Sequence, residues 1–242
     1  GRAIALDLAA HGFDTALHCH AASAESAATL DELRGLGARA EVFAADLADE
    51  AATRDLLPAV AQAFGRVDAL VNNASRFAYD DAASFGHAEM QAHWRINTAA
   101  PILLAQALHA HLVARDAQGC VVNLLDQKLA NPNPDYLSYT LSKAALQSAT
   151  VMLAQALAPR LRVCGVAPGV TMISGDMSEA DFAAAHRLTP LRRSSTPADI
   201  AQAVRYLIEA PAVTGTTLLV DGGQHLVAQP RDVAFLVQPS GT

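Results

Sequence analysis

The sequence has few cysteines, no surplus of positive charge and no long apolar run, and each absence excludes a class of protein. Its three cysteines, Cys19, Cys120 and Cys164, lie far apart and form no CxxC pair. Neither a disulfide framework nor a cysteine metal site is therefore expected, and a reducing cytoplasm is the expected location. The chain carries 17 lysine and arginine residues against 24 acidic residues, whereas a nucleic-acid partner would normally require a basic surplus.

Membrane and metal signals are also missing from the sequence. The most apolar stretch, Ala99–Ala114, contains proline, glutamine and histidine and stays below the roughly 20 residues of a membrane span. No signal-peptide pattern opens the chain. His109 and His111 would point to different faces of a helix, and His18 and His20 share a strand face without a third ligand. We therefore expect neither a membrane partner nor a metal site.

Hydrophobic residues make up 52% of the 242-residue chain, which is enough for one large core in a single domain spanning 1–242. Apolar, β-branched runs alternate with helical patterns, which predicts βαβ units and a parallel sheet. The predicted strands are 15–18, 40–45, 69–71, 120–125, 162–166 and 217–220. The predicted helices are 2–11, 24–36, 50–64, 87–114, 138–157, 179–186 and 197–209. The expected fold class is α/β, a doubly wound Rossmann-type domain with helices on both faces of its parallel sheet.

The chain opens on Gly1 and continues directly into an amphipathic helix. A doubly wound sheet normally begins with a strand and a glycine-rich turn before that helix. We therefore expect a first strand to precede Gly1, which would be the last glycine of the phosphate-binding loop.

Tyr139 and Lys143 are four residues apart, so on a helix their side chains lie on one face. A free phenol titrates near 10 and is a poor acid–base catalyst at neutral pH. A neighbouring cation favours the phenolate and lowers the pKa of the phenol. The pair is therefore a candidate catalytic site, although the spacing by itself fits a solvated helix face better.

Other residues that a dinucleotide-binding enzyme needs follow the predicted strands, where ligands of such sheets bind. Asp46 follows one strand, Asn72–Ser75 another, and Pro168–Gly169 and Asp221–Gly223 two more. Asn97 lies within the long predicted helix. The order of these residues favours a nucleotide-dependent enzyme.

With these motifs, the sequence resembles the short-chain dehydrogenase/reductase family over essentially its whole length. The resemblance implies that Tyr139 is the catalytic acid, that Lys143 binds the nicotinamide ribose and tunes Tyr139, and that Asn97 holds a proton-relay water. The cofactor-binding residues expected in this way are Gly1, His18, His20, Ser23, Asp46, Leu47, Asn73, Ala74, Ser75, Tyr139, Lys143, Pro168 and Gly169.

Asp126 departs from the family pattern, because most members carry a serine about thirteen positions before the tyrosine. A carboxylate there would repel the developing alkoxide of a ketone, so Asp126 suits different chemistry. The sequence is similar to pteridine reductases at this position and at Asn73–Phe77. That likeness implies that Asp126 assists catalysis, that Phe77 stacks on a pterin, and that Ser75, Asp126 and Tyr139 contact the substrate. The alternatives are a solvated loop carboxylate for Asp126 and an ordinary core or lid aromatic for Phe77.

The cofactor prediction depends on the segment His18–Ser23. An acid at this place would bind the ribose diol of NAD and repel the 2′-phosphate of NADP, and the segment contains none. NADP is therefore favoured over NAD, with His20 and Ser23 as possible phosphate partners. Ala21 stands where pteridine reductases usually carry an arginine.

The family resemblance also implies a substrate lid at about 170–191 and a C-terminal tail at about 224–242. In a homotetramer such a tail packs on a neighbour, so His225 or Arg231 would either approach an adjacent active site or lie on the surface. The expected function is NADPH-dependent reduction of a dihydropterin or dihydrofolate-like small molecule. The alternatives are a reductase of another carbonyl or imine, such as a ketone or an oxoacyl thioester, and a catalytically idle dinucleotide-binding sensor.

Overall fold

The computed structural model describes residues 1–173 and 177–237. These residues form helices and strands in strict alternation through most of the chain. In chain order the elements are α1 (Arg2–Ala10), β1 (Thr15–Cys19), α2 (Ala24–Gly35), β2 (Ala40–Ala44), α3 (Glu50–Phe64), β3 (Ala69–Asn72), α4 (His87–Trp94), a π-helical turn (Arg95–Ala99), α5 (Ala100–Ala114), β4 (Gly119–Leu124), a 3-10 turn (Gln127–Ala130), α6 (Leu137–Ala156), β5 (Leu161–Pro168), α7 (Glu179–Arg187), α8 (Pro197–Glu209), β6 (Thr217–Val220), a second 3-10 turn (Gln224–Leu226) and α9 (Val233–Val237).

All strand pairs among the described residues are parallel. β3, β4, β5 and β6 pair in that order, and β1 pairs with β2. Both faces of the central strands are covered. Val121 packs with α3 and α5 on one face, whereas its neighbour Val122 packs with α1 and α8 on the other. This alternation explains why Cys120–Val122 of β4 are all apolar, and it confirms the predicted doubly wound α/β fold.

Local sequence signals fix the ends of the helices. Thr196 begins α8 with a capping box, in which its hydroxyl accepts from the Asp199 amide while the Asp199 carboxylate accepts from the Thr196 amide. Pro197 occupies the first turn, where its missing N–H costs nothing. Asp49 caps α3, and Gly65 ends it with a φ of 81°, which glycine adopts readily.

A cavity of about 990 Å³ separates the two parts of the sheet. Its walls include β1, from Thr15 to His18, and β3, from Ala69 to Asn72, with α1 alongside.

The continuous helix from His87 to Ala114 is the one helix in the described residues that is long and apolar enough to cross a membrane. Its most apolar 18-residue window has a mean hydropathy of 1.2, and 44% of that window is buried. Leu104, Leu108 and Leu112 pack against α3 and the sheet, so core packing accounts for this apolarity. The expectation that no stretch approaches the length of a membrane span was therefore wrong, because it considered Ala99–Ala114 without the preceding turns.

The predicted helices and strands begin and end within two residues of the observed ones, and two features were not predicted. The long helix is interrupted by a π-helical turn at Asn97. The chain after β6, predicted only as a tail, includes the short helix α9. Both features contribute to the site described next.

Candidate active site

Tyr139 and Asp126 form a direct, buried hydrogen bond. Asp126 follows β4, and Tyr139 lies in the first turn of α6, which brings the two side chains together at the carboxyl end of the sheet. The Tyr139 hydroxyl donates to Asp126 Oδ2 at 2.8 Å. The Lys128 amide donates to Asp126 Oδ1 at 2.8 Å, so both carboxylate oxygens have a donor. Only 7% of Tyr139 is exposed.

Burial dominates the ionisation of these groups. It raises the pKa of Asp126 above its usual range, although the two hydrogen bonds oppose the shift. Burial, assisted by the negative charge of Asp126, raises the pKa of Tyr139 well above 10. Burial also lowers the pKa of Lys143 from 10.5 to about 8. In each case burial disfavours the charged form, and at Asp126 the two hydrogen bonds to the carboxylate oppose that effect.

The lowering of the Tyr139 pKa expected from Lys143 stays a prediction, because in this structure the ammonium does not contact the phenol. The Lys143 ammonium donates to the Leu124 carbonyl at 2.7 Å and lies 5.9 Å from the centre of the Tyr139 ring. The Asp126 carboxylate is in direct contact with the phenol instead, and a nearby negative charge disfavours the phenolate. Tyr139 is therefore held as a protonated donor.

Asn97 holds the loop after β3 in place. It lies in the π-helical turn and is completely buried. Its Oδ1 accepts from the Arg76 amide at 2.8 Å and from the Ser75 hydroxyl at 3.3 Å. Its Nδ2 donates at 3.0 Å to the Arg76 carbonyl and to the Ser142 hydroxyl. The side chain thus connects the loop to α6, while the relay role expected of Asn97 stays a prediction.

A ring cluster borders the site. Phe77 is half exposed, and its ring stacks on Tyr136 with centroids 4.3 Å apart and planes inclined by 18°. Its edge meets the Tyr139 ring, with centroids 4.7 Å apart. Tyr136 has a φ of 55°, which is rare for a tyrosine and places its ring against Phe77 at the start of α6. Sequence reasoning missed Tyr136, because a positive φ at a tyrosine cannot be predicted from the residues around it.

The start of α6 is fixed by a buried aspartate from a distant loop. Asp80 Oδ1 accepts from the Ser138 amide at 2.8 Å, and Asp80 Oδ2 accepts from the Ser138 hydroxyl. Both residues are almost completely buried. A carboxylate at a helix N-terminus satisfies amides that have no partner within the helix. Asp80 therefore sets the position of the first turn of α6, which carries Tyr139.

The predicted cofactor-binding residues lie at the carboxyl ends of the strands, in two groups. One group lines the large cavity and contains Gly1, His18, Leu47, Asn73 and Ala74. The other, with Tyr139 and Gly169, lines a second cavity of about 160 Å³ that also contains Asp126 and Phe77. Pro168 ends β5 beside Gly169. The structure thus places these residues along one edge of the sheet.

Three of the polar residues predicted to bind the cofactor already have partners. His18 Nε2 lies 2.9 Å from the Ala45 carbonyl, which joins the ends of β1 and β2. His20 is exposed, and its Nδ1 lies 3.6 Å from Asp46 Oδ1. The Ser23 hydroxyl caps α2 by accepting from the Ser26 amide.

The chain after β6 contributes several residues to the wall of the smaller cavity. Gln224, Val227, Arg231 and Asp232 line it together with Asp126 and Tyr139. The described part of the tail therefore packs on the active site of its own chain. The lid predicted at 170–191 contributes Val170, Thr171, Met172 and Met177 to the same cavity, while 174–176 and 238–242 lie outside the described residues.

Comparison with known proteins identifies the family. A family model described as enoyl-(acyl carrier protein) reductase matches residues 1–225. The chain belongs to the short-chain dehydrogenase/reductase family. A curated relative in this family is the 3-oxoacyl-[acyl-carrier-protein] reductase FabG of Staphylococcus aureus, which is 30% identical over 233 residues, covering 93% of this chain and 94% of the relative.

Two solved short-chain dehydrogenase/reductase structures are similar over nearly the whole length. FolM alternative dihydrofolate reductase 1 from Brucella canis, complexed with NADP, is 38% identical, with a TM-score of 0.87 and coverage of 97% of this chain and 93% of that one. The same protein from Brucella suis, also with NADP, is 37% identical with a TM-score of 0.87, and the match covers 96% and 93%. The chain is therefore an oxidoreductase of this family.

Proposed function

We propose that this oxidoreductase uses NADPH to reduce a C=N bond of a dihydropterin or a dihydrofolate-like substrate. The observation that carries the proposal is the buried hydrogen bond from the Tyr139 hydroxyl to the Asp126 carboxylate, 2.8 Å long. The similarity to the two Brucella alternative dihydrofolate reductases supports the same substrate class. The proposal also requires a cofactor site and a proton donor.

The described residues fit a dinucleotide that carries a 2′-phosphate. No acid follows β1 between His20 and Ser23, and both of these side chains lie at the carboxyl edge of the sheet. Gly169 has no room for a side chain, because a Cβ there would lie 2.5 Å from Ser194 Oγ and 2.9 Å from the Asp221 backbone. Both Brucella structures contain NADP. NADP is accordingly the cofactor of this proposal, and when bound in its reduced form it supplies a hydride.

Asp126 sets the substrate class through its charge. A carboxylate beside the reacting bond repels an oxyanion, so reduction of a ketone is disfavoured. The same carboxylate accepts hydrogen bonds from N–H groups on the edge of a heterocycle, and a charge-assisted bond of this kind is worth about 1.5–3 kcal/mol. The site therefore favours a ring nitrogen that gains a proton as its neighbouring carbon is reduced.

Tyr139 donates the proton in this proposal. Its raised pKa keeps the hydroxyl protonated at neutral pH but makes it a weak acid, so proton transfer requires the pKa to fall when cofactor and substrate bind. Tyr139 lines the same cavity as Asp126. Lys143 holds the end of β4 through the Leu124 carbonyl and would bind the nicotinamide ribose. Asn97 fixes the loop that carries Ser75, which would contact the substrate, and would hold the relay water that resupplies the proton.

Phe77 forms one wall of the substrate site. One face of its ring packs on Tyr136, and 48% of the residue is exposed at the mouth of the cavity. A flat heterocycle gains from offset stacking on such a ring. We also infer a cytoplasmic location and a homotetramer from the family resemblance. Light scattering on the purified protein would test the homotetramer.

The test replaces Asp126 and measures NADPH oxidation with a dihydropterin, dihydrofolate, a ketone and an oxoacyl thioester. Asp126→Ser should lower dihydropterin turnover about 100-fold, the usual contribution of a positioned acid–base group, while oxoacyl turnover stays level or rises. Asp126→Asn, which keeps the shape and loses the charge, should lower dihydropterin turnover by a similar factor. Full dihydropterin turnover by Asp126→Ser would refute the role of the carboxylate. Cofactor binding by the wild type without turnover of any substrate would support the sensor alternative.

A further inference from the structure

We propose that the segment Val227–Val237, here called the tail segment, is a substrate-recognition element of this site, held over Tyr139 and Asp126 by Arg231 and Asp232. The inference rests on the proposed function and extends it, because it names the part of the chain that would select the substrate. Four observations carry it: an ion pair on each side of the segment, a shared ring cluster and a shared cavity wall.

The first ion pair joins the tail segment to the residue before Tyr136. The Arg231 guanidinium pairs with the Asp135 carboxylate through Nε and Nη2, at distances of 2.8 to 2.9 Å. The Asp232 amide donates to the same carboxylate at 2.7 Å. The Asp135 side chain is 3% exposed, so its charge depends on these donors. The tail segment is thus fixed to the start of the catalytic helix α6.

The second ion pair joins the tail segment to the loop of Asp126. The Lys128 ammonium lies 3.3 Å from Asp232 Oδ2 and also donates to the Asp135 carbonyl. The Lys128 side chain is 4% exposed, which leaves little water to replace these partners. The amide of the same residue donates to Asp126 Oδ1 at 2.8 Å. Lys128 therefore contacts Asp232 through its ammonium and Asp126 through its backbone amide.

The ring cluster extends from the active site into the tail segment. Phe235 lies 5.6 Å from Tyr79 and 6.1 Å from Tyr136, measured between ring centroids. The Arg231 guanidinium lies 4.7 Å from the centre of the Phe235 ring, which permits a cation–π contact. Tyr136 stacks in turn on Phe77, the proposed wall of the substrate site. The rings connect the tail segment to that wall without a gap.

The tail segment forms part of the wall of the 160 Å³ cavity that Tyr139 also lines. Its contributions are Val227, Gln229, Arg231, Asp232, Val233 and Ala234. Asp232 and Asp126 thereby bring two carboxylates to one small cavity, and the charge of Asp232 also acts on Asp126 and Tyr139. Such a wall selects a ring that bears several N–H donors or a positive charge, and it disfavours an anionic ring.

The test uses Arg231→Gln and Asp232→Asn, alone and together, in the full-length protein. Arg193→Gln serves as the matched control, because Arg193 makes an equally short paired contact with Asp199 on an exposed surface. We expect the KM for the dihydropterin to rise about tenfold or more in the double variant, as expected when a buried charge pair is truncated. The KM for NADPH should change by less than about threefold, because most of the predicted cofactor-binding residues lie at the ends of the strands, away from Arg231 and Asp232.

A second measurement does not depend on any substrate. The chain contains only two lysines, Lys128 and Lys143, and both are buried. Acetylation of the cofactor-free protein, followed residue by residue with mass spectrometry, therefore reports whether the tail segment covers Lys128. The double variant should label Lys128 at least about fivefold faster than the wild type, whereas Arg193→Gln should not, since exposure limits amine reactivity.

The outcomes separate this inference from the proposed function. Faster labelling together with a raised substrate KM supports the inference. Unchanged labelling, or an equal rise in the KM for NADPH and for the substrate, overturns it. If the wild type reduces an oxoacyl substrate and no dihydropterin, the proposed function fails, and the effect of the double variant on the oxoacyl KM still decides whether the tail segment recognises substrate.

Discussion

Lys143 should destabilise the protein at neutral pH, and replacing it should make the folded state more stable. The residue is 3% exposed, and burial lowers its pKa from 10.5 to about 8. Because the pKa is lower in the folded state, folding is penalised whenever the lysine must carry its charge. The penalty is absent above pH 10.5, grows as the pH falls towards 8, and is complete below 8.

The size of the effect follows from the shift. A change from 10.5 to about 8 corresponds to about 3 kcal/mol at pH 7, at 1.36 kcal/mol per pKa unit. At pH 10 most unfolded-state lysine is still protonated, and the remaining penalty is about 1 kcal/mol. Lys143→Met also removes the hydrogen bond to the Leu124 carbonyl, a loss that does not depend on pH. The difference between the two pH values therefore isolates the titration of the ammonium.

The measurement is urea-induced unfolding of the wild type and Lys143→Met at pH 7 and pH 10. From pH 7 to pH 10, the free energy of unfolding of the wild type should rise relative to the variant by about 2 kcal/mol. Arg54→Met is the control, because Arg54 is exposed and its guanidinium does not titrate in this range. A difference between wild type and Lys143→Met that stays constant, or that falls with pH, would refute the argument that burial controls this lysine.

Two further predictions concern Gly222 and Asp80. Gly222→Ala should lower the free energy of unfolding by more than about 3 kcal/mol, and with it the melting temperature. The φ of Gly222 is +64°, and a Cβ would lie 1.9 Å from the Arg193 carbonyl oxygen. Gly12→Ala, with a φ of +86° and open space around it, should cost only about 1 kcal/mol, and equal losses would contradict this steric account. Asp80→Ala should lower the free energy of unfolding by about 3 kcal/mol and should also lower kcat, because the buried Ser138 amide and hydroxyl lose their acceptor. Asp81→Ala, in the same loop but exposed, should cost at most about 1 kcal/mol in chemical unfolding, and a larger loss there would count against the Asp80 argument.

The sequence by itself determined the fold and the chemical types at the site. Periodicity identified six strands and seven helices, because apolar side chains must alternate on strands and recur every three to four residues on helices. The spacing of Tyr139 and Lys143 placed both on one helix, and counting back from the tyrosine singled out Asp126. These features depend on residues close together in the chain, or on motifs that the family resemblance supplied.

The tertiary structure decided which charge each residue faces. A helix spacing shows that Lys143 lies on the same face as Tyr139, but it cannot show that the ammonium binds a carbonyl while Asp126 contacts the phenol. The positions of Asp80 and Arg231 were likewise set by contacts 58 and 96 residues away along the chain. Burial and long-range contacts determine the local dielectric and the sign of the nearest charge, and neither quantity is contained in a local pattern of residues.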